Sequence, residues 1–129
     1  MAFRVLVVDD SPFITEVTSG ILIGAGYEAR AVNDGGAALT AVQEWRPDLM
    51  LLDLVMPVKD GWAVLAALRS DPATKSLPVI VITSSHETAR ERRAQLEAYG
   101  AGLLPKPIEA GRLLATVRRT LSAGVPTIG

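Results

Sequence analysis

Five short apolar runs punctuate the chain: Val5 to Val8, Ala29 to Val32 (interrupted by Arg30), Leu49 to Leu52, Val79 to Ile82, and Leu103-Leu104. Four of them are apolar at consecutive positions rather than at every second one, the pattern of parallel strands covered on both faces. Run length alone does not separate a buried strand from a buried helix, but enrichment in Val and Ile favours strand. The longer stretches between the runs have helical periodicity. Ser11 is placed to cap the first helix, with Pro12 at its first position, where a missing N–H costs nothing. Ile14, Val17, Ile21 and Leu22 then share one face, and Gly24 and Gly26 end the helix. Asp34 caps a second helix carrying Ala38, Leu39, Val42 and Trp45, which stops before Pro47. Gly61 opens a third, with Val64, Leu65 and Leu68 inward. Ser84 and Glu87 have the spacing of a capping box for a fourth, and Leu113, Leu114, Val117 and Leu121 mark a fifth. The alternation predicts a (βα)5 chain folded as a doubly wound parallel sheet.

The 129 residues fit one domain, and with about half of them apolar a hydrophobic core forms without staples. There is no cysteine, which excludes disulfides and thiolate metal sites. The 13 basic and 14 acidic residues leave a net charge of -1, with no bulk drive toward nucleic acid or an anionic membrane. The apolar start meets Asp9-Asp10 too soon for a signal peptide, and every apolar run is far shorter than a bilayer span; the expected location is cytoplasmic. Residues 1–122 are expected to form the domain, and 123–129 a tail or the start of a linker.

In open parallel sheets ligands bind outside the carboxyl ends of the strands, so the residues that follow each run matter most. They are Asp9 and Asp10 after the first, Asp53 after the third, Thr83 and Ser84 after the fourth, and Lys106-Pro107 after the fifth. The second run ends in Asn33-Asp34 on an outlying strand. Three carboxylates, a hydroxyl and an ammonium would converge on one edge. Carboxylates about 4 Å apart repel by about 4 kcal/mol per pair at an effective dielectric near 20, and a hard divalent cation resolves that conflict. Mg2+ takes oxygen ligands, keeps several waters and commonly uses one or two carboxylates together with a phosphate. An Asp-Asp pair alone is as readily a helix cap or turn, and a lone Thr or Lys at a strand end means little. Asp53 is more telling, because it closes a run of Leu-Met-Leu-Leu, where an unpaired carboxylate is costly.

Together, Val7-Val8-Asp9-Asp10-Ser11, Asp53-Leu54-Val55-Met56-Pro57 with Asp60-Gly61, Ile82-Thr83-Ser84 and Lys106-Pro107 resemble the receiver domain of two-component response regulators, from about Arg4 to Leu121. The resemblance implies a flavodoxin-like sheet of order 2-1-3-4-5. It implies phosphorylation of Asp53, and direct Mg2+ ligation by Asp10, Asp53 and the backbone carbonyl of Val55, with Asp9 acting through metal-bound water. Thr83 would hydrogen-bond the phosphoryl group and move on activation, Lys106 would pair with the phosphoryl oxygens, and the Lys106–Pro107 bond would be cis. The phosphoryl donor would be a sensor histidine kinase or a histidine phosphotransfer protein. Such a domain is a switch rather than an enzyme, limited to its own phosphorylation and slow dephosphorylation. By register from Lys106, Leu103 stands where the family often has a mobile aromatic residue, so the signal would pass through packing of Leu103 or through the helix after Thr83. Apolar Val55 cannot orient an attacking water, which predicts a long-lived phosphoryl group, unless Val55 merely covers its loop.

Other residues carry less. His86, the only histidine, reads as an exposed first-turn residue. Arg90, Arg92 and Arg93 on the fourth helix and Arg112, Arg118 and Arg119 on the fifth form either an output face for a partner or a solvated surface. No direct nucleic-acid or membrane contact is expected, and a weak homodimer stays open. Two rivals share the fold. A flavin or nucleotide module needs N–H groups facing its phosphates, whereas Asp9-Asp10-Ser11 repels anions without a metal. An aspartyl-phosphate phosphatase carries nucleophile and acid together after the first strand, whereas adjacent Asp9 and Asp10 are expected to point apart.

Overall fold

The structure, a computed structural model, describes residues 2–54, 61–83 and 93–123. Five strands, β1 (Arg4–Val8), β2 (Glu28–Val32), β3 (Leu49–Asp53), β4 (Val79–Thr83) and β5 (Gly102–Pro105), form one sheet in the order β2-β1-β3-β4-β5. Every pairing is parallel. Among the described residues the helices are α1 (Pro12–Gly24), α2 (Gly35–Trp45), α3 (Gly61–Ser70), α4 (Arg93–Ala98) and α5 (Ala110–Ala123).

The unbroken apolar runs follow from the two layers of helix. Alternate residues of a strand point to opposite faces, and here both faces are covered. Leu6, Val8, Met50, Leu52 and Val81 pack against Ala38, Val42, Val64, Leu65, Leu68 and Leu96 of α2, α3 and α4. Their neighbours Val5, Val7, Leu51, Ile80 and Ile82 pack against Leu22, Leu113 and Val117 of α1 and α5. All five residues of β3 and of β4 are buried. Strand β2 lies at the sheet's edge and is only half covered, which is why its run tolerates Arg30.

The caps form as expected. Ser11 Oγ accepts from the Ile14 N–H at 3.3 Å, and Asp34 Oδ1 accepts from the Ala37 N–H at 2.7 Å. Gly26, at φ +98°, turns the chain from α1 into β2 in a conformation that side chains resist. The Ser84–Glu87 box lies outside the described residues. The inward face of α1 differs from the expected one: Thr15, Thr18 and Leu22 are buried, Ile14 and Ile21 are half-buried, and Val17 is 47% exposed. This helix carries apolar residues on more than one face, so periodicity alone is ambiguous. Thr15 is cheap to bury because its hydroxyl donates to the Pro12 carbonyl at 3.0 Å. Helix α5 continues through Ala123, one residue past the expected border of the domain. None of the described helices is long and apolar enough to cross a membrane.

Candidate functional site

The ends of β1 and β3 lie side by side at the centre of the sheet, with the ends of β4 and β5 next in order. Asp9 follows β1 directly. Its N–H still donates to the Val32 carbonyl of β2, at 3.3 Å, before the chain bends away. Asp53 is the last residue of β3 and pairs in register with Ile82 of β4. Asp9 and Asp53 are 4% and 7% exposed, whereas Asp10 is open to solvent. One carboxylate oxygen from each of the three lies within 4.8 Å of the others.

The expectation that Asp9 and Asp10 point apart is therefore corrected. Strict alternation belongs to extended backbone, and β1 has already ended at Val8, with Asp10 in a bend. The bend lets adjacent residues turn toward one centre, which removes that particular argument against a phosphatase.

Lys106 supplies the opposing charge. Its backbone N–H donates to the Thr83 carbonyl at 2.9 Å, which fixes the turn after β5 against the end of β4. Its Nζ donates to Asp9 Oδ2 at 3.0 Å and lies 3.7 Å from Asp53 Oδ2. Burial pulls the ammonium's pKa down, but the hydrogen bond to Asp9 and the charges of Asp53, Asp9 and Asp10 outweigh it, so the net shift is upward from the usual lysine value. The Lys106–Pro107 peptide is cis.

Asp9 is tied at every polar atom. Beyond Lys106 and Val32, its Oδ1 accepts from the Ser11 N–H at 3.0 Å, and its carbonyl accepts from Asn33 Nδ2 at 2.9 Å. Asn33 also donates to Thr15 Oγ1 at 3.3 Å. In the sequence neither Asn33 nor Thr15 stands out, beyond the place of Asn33 directly after the second apolar run.

Gly61 does more than open α3. Its N–H donates to the Leu54 carbonyl at 2.8 Å, bringing the start of α3 back onto the end of β3. A Cβ at Gly61 would press on the Asp53 carbonyl oxygen and lie 2.6 Å from Leu54 Cα. Only glycine fits that approach.

Thr83 is 4% exposed at the end of β4 and faces Pro105 across the β4–β5 ladder. Leu103 is half-buried against the core on the α2, α3 and α4 side, paired with Val81. Val55, Ser84, His86, Arg90 and Arg92 lie outside the described residues. The donor set at the centre is oxygen alone, beside one ammonium, with no His or Cys among the clustered residues. Such donors suit a hard divalent cation that retains water. Asp9, Asp10 and Asp53 therefore fit Mg2+, and the same negative cluster would repel the phosphates of a bound flavin or nucleotide.

The family profile of the response regulator receiver domain matches residues 5–118. The DNA-binding response regulator MtrA of Mycolicibacterium smegmatis is 38% identical over 121 residues, covering 94% of this chain and 51% of that protein. The response regulator PleD of Caulobacter vibrioides is 36% identical over 118 residues, covering 92% of this chain and 26% of that one. The chain thus spans about half the length, or less, of these relatives. In three dimensions the chemotaxis protein CheY4 of Vibrio cholerae superposes with a TM-score of 0.85 at 35% identity, covering 92% of this chain and 98% of that one. A signal receiver domain of a histidine kinase from Syntrophus aciditrophicus gives 0.85 at 33% identity, covering 98% and 95%.

Proposed function

This chain belongs to the response regulator receiver domain family of two-component signal transduction, and from that membership we propose that Asp53 is its phosphoacceptor. Receiver domains are phosphoacceptor switches rather than classical enzymes, and they bind Mg2+ at an acidic cluster. The observation that carries the assignment is the gathering of Asp9, Asp10 and Asp53 beside Lys106 from separate strand ends.

In this reading an Asp53 carboxylate oxygen attacks the phosphorus of a phosphohistidine on a sensor kinase or phosphotransfer protein. The new O–P bond forms as the P–N bond breaks, and the electron pair returns to the imidazole. Asp10, Asp53 and the Val55 carbonyl would hold the cation directly, and Asp9 would act through water. The cation, when bound, offsets charge on the phosphoryl oxygens. Lys106 pairs with one of those oxygens and the Thr83 hydroxyl donates to another, so positioning and electrostatics supply most of the rate. Ser84 and Pro107 are assigned supporting roles next to Thr83 and Lys106 in sequence. Phosphorylation then biases two states of the domain, with Thr83 moving and the packing of Leu103 carrying the change outward. Slow self-dephosphorylation ends the signal. Val55 follows the acceptor by two residues in sequence, and its apolar side chain cannot orient an attacking water; Val55→Asn should shorten the lifetime of the phosphorylated protein, and an unchanged decay rate discards that role.

The output surface is assigned to α4 and α5, where Arg93, Arg112, Arg118 and Arg119 are exposed. Arg93 is partly answered by Glu97 at 3.6 Å. The reading includes a cytoplasmic setting, a tail or linker after α5, no direct contact of this domain with nucleic acid or membrane, and at most a weak homodimer.

Intact-mass measurement after addition of a small acyl phosphate with Mg2+ tests the assignment. The parent should gain one phosphate and Asp53→Asn none; a gain in both, or in neither, overturns it.

A further inference from the structure

We propose that Asn33, just past the end of the half-covered edge strand, is a positioning residue for the cation-binding turn. The inference rests on the receiver reading of Asp9, Asp10 and Asp53. The carbonyl that Asn33 holds, Asp9 O at 2.9 Å, belongs to the peptide unit joining Asp9 to Asp10. A peptide unit is planar, so fixing its oxygen fixes the plane, and with it the direction in which the chain presents Asp10. One residue earlier, the Val32 carbonyl accepts from the Asp9 N–H at 3.3 Å. Two consecutive residues of the β2 end thus grip both peptide units that flank the Asp9 Cα.

The second hydrogen of the Asn33 amide extends the grip to α1. It goes to Thr15 Oγ1 at 3.3 Å, and that hydroxyl donates in turn to the Pro12 carbonyl at 3.0 Å. Thr15 is 3% exposed, so this end of the relay is fixed by packing. The turn 9–11 is therefore suspended between β2 and the first turn of α1. Its two carboxylates need not be drawn together by the cation itself, because the backbone already aims them. Residues outside the ligand set that orient the ligands commonly change metal affinity by about 10- to 100-fold when removed. Asn33 is itself exposed and competes with water, which places its effect at the low end.

The test is a Mg2+ titration by isothermal calorimetry on the full chain, together with phosphorylation by a small acyl phosphate at graded Mg2+, each followed by thermal melting. Asn33→Ala should bind Mg2+ about tenfold more weakly. It should need correspondingly more Mg2+ for half-maximal phosphorylation, yet reach the parent rate at saturation. Asn33→Leu keeps the approximate shape without a donor or an added charge, and should lose as much affinity as Asn33→Ala. Glu28→Ala, an exposed change on the same strand, is the control and should match the parent in Mg2+ affinity. The inference is overturned if Asn33→Ala binds Mg2+ as the parent does, or if the control loses as much. It is also overturned if the lost affinity merely follows a lowered melting temperature that Glu28→Ala does not share. A parent that neither binds Mg2+ nor gains phosphate would instead remove the receiver assignment, so the two failures are distinguishable.

Discussion

Single residues decide whether the acidic edge can exist at all. Asp53 was legible in the sequence because it closes a Leu-rich strand, where a carboxylate without a partner is costly; Lys106 was legible because it ends the fifth run. The structure brings both together with Asp9, at 3.0 Å and 3.7 Å from the ammonium. The raised pKa of Lys106 has a direction that can be tested. A group whose folded-state pKa lies above its unfolded value near 10.5 stabilises fully below that value and loses its contribution as pH rises through the folded one. In Mg2+-free buffer, Lys106→Met should cost about 1–2 kcal/mol, constant from about pH 7 to about pH 10. The gap should close at higher pH, as read by urea denaturation. Gly61 could not be valued from sequence beyond opening a helix, since its role depends on how closely α3 meets the Asp53 backbone. Gly61→Ala should destabilise by about 2 kcal/mol or more. A midpoint equal to the parent's would contradict the close approach.

Secondary-structure elements were legible wherever burial is symmetric. The apolar runs of the three central strands read correctly because each of their residues has a covered face to enter, and α3 read correctly because Val64, Leu65 and Leu68 are its inward side chains. Helix α1 is where the pattern misled. Its apolar residues are spread around the axis, leaving Phe13 and Val17 71% and 47% exposed while Thr18 is 1% exposed. The correction is testable by a pair of neighbours. Val17→Asp should stay within about 0.5 kcal/mol of the parent. Thr18→Asp, which buries an unpaired charge, should cost about 3 kcal/mol or more. The reverse order would restore the face read from the sequence. The edge strand β2 has its own fastening, since Arg30 and Arg4 lie 4.9 Å and 5.6 Å from the centre of the Trp45 ring. From the sequence Trp45 is only a core or rim residue of the second helix. Two guanidinium groups within about 6 Å of its half-buried ring fit the cation–π geometry that a sequence pattern does not register.

For the molecule as a whole, the functional edge is assembled from segments far apart in sequence, and no local pattern shows Asn33 reaching Asp9 or Thr15. The doubly wound parallel class was legible because strands alternating with helices permit few arrangements, and the strand order followed only from the family resemblance; the cross-strand hydrogen bonds depend on register and were not legible. A ligand that binds the folded state alone stabilises it by mass action. Mg2+ at about a hundred times its dissociation constant should therefore raise stability by about 2.7 kcal/mol, read as a higher melting temperature that falls back on chelation. Asp10→Asn should lose most of that gain. The bond from the Lys106 N–H to the Thr83 carbonyl, 2.9 Å long, mounts the hydroxyl-bearing residue and the ammonium-bearing residue on one bracket. In the proposed function the pair would work as one jaw of a caliper whose other jaw is β1 and β3: drawing either tip toward a phosphoryl group on Asp53 would carry the other's anchor along.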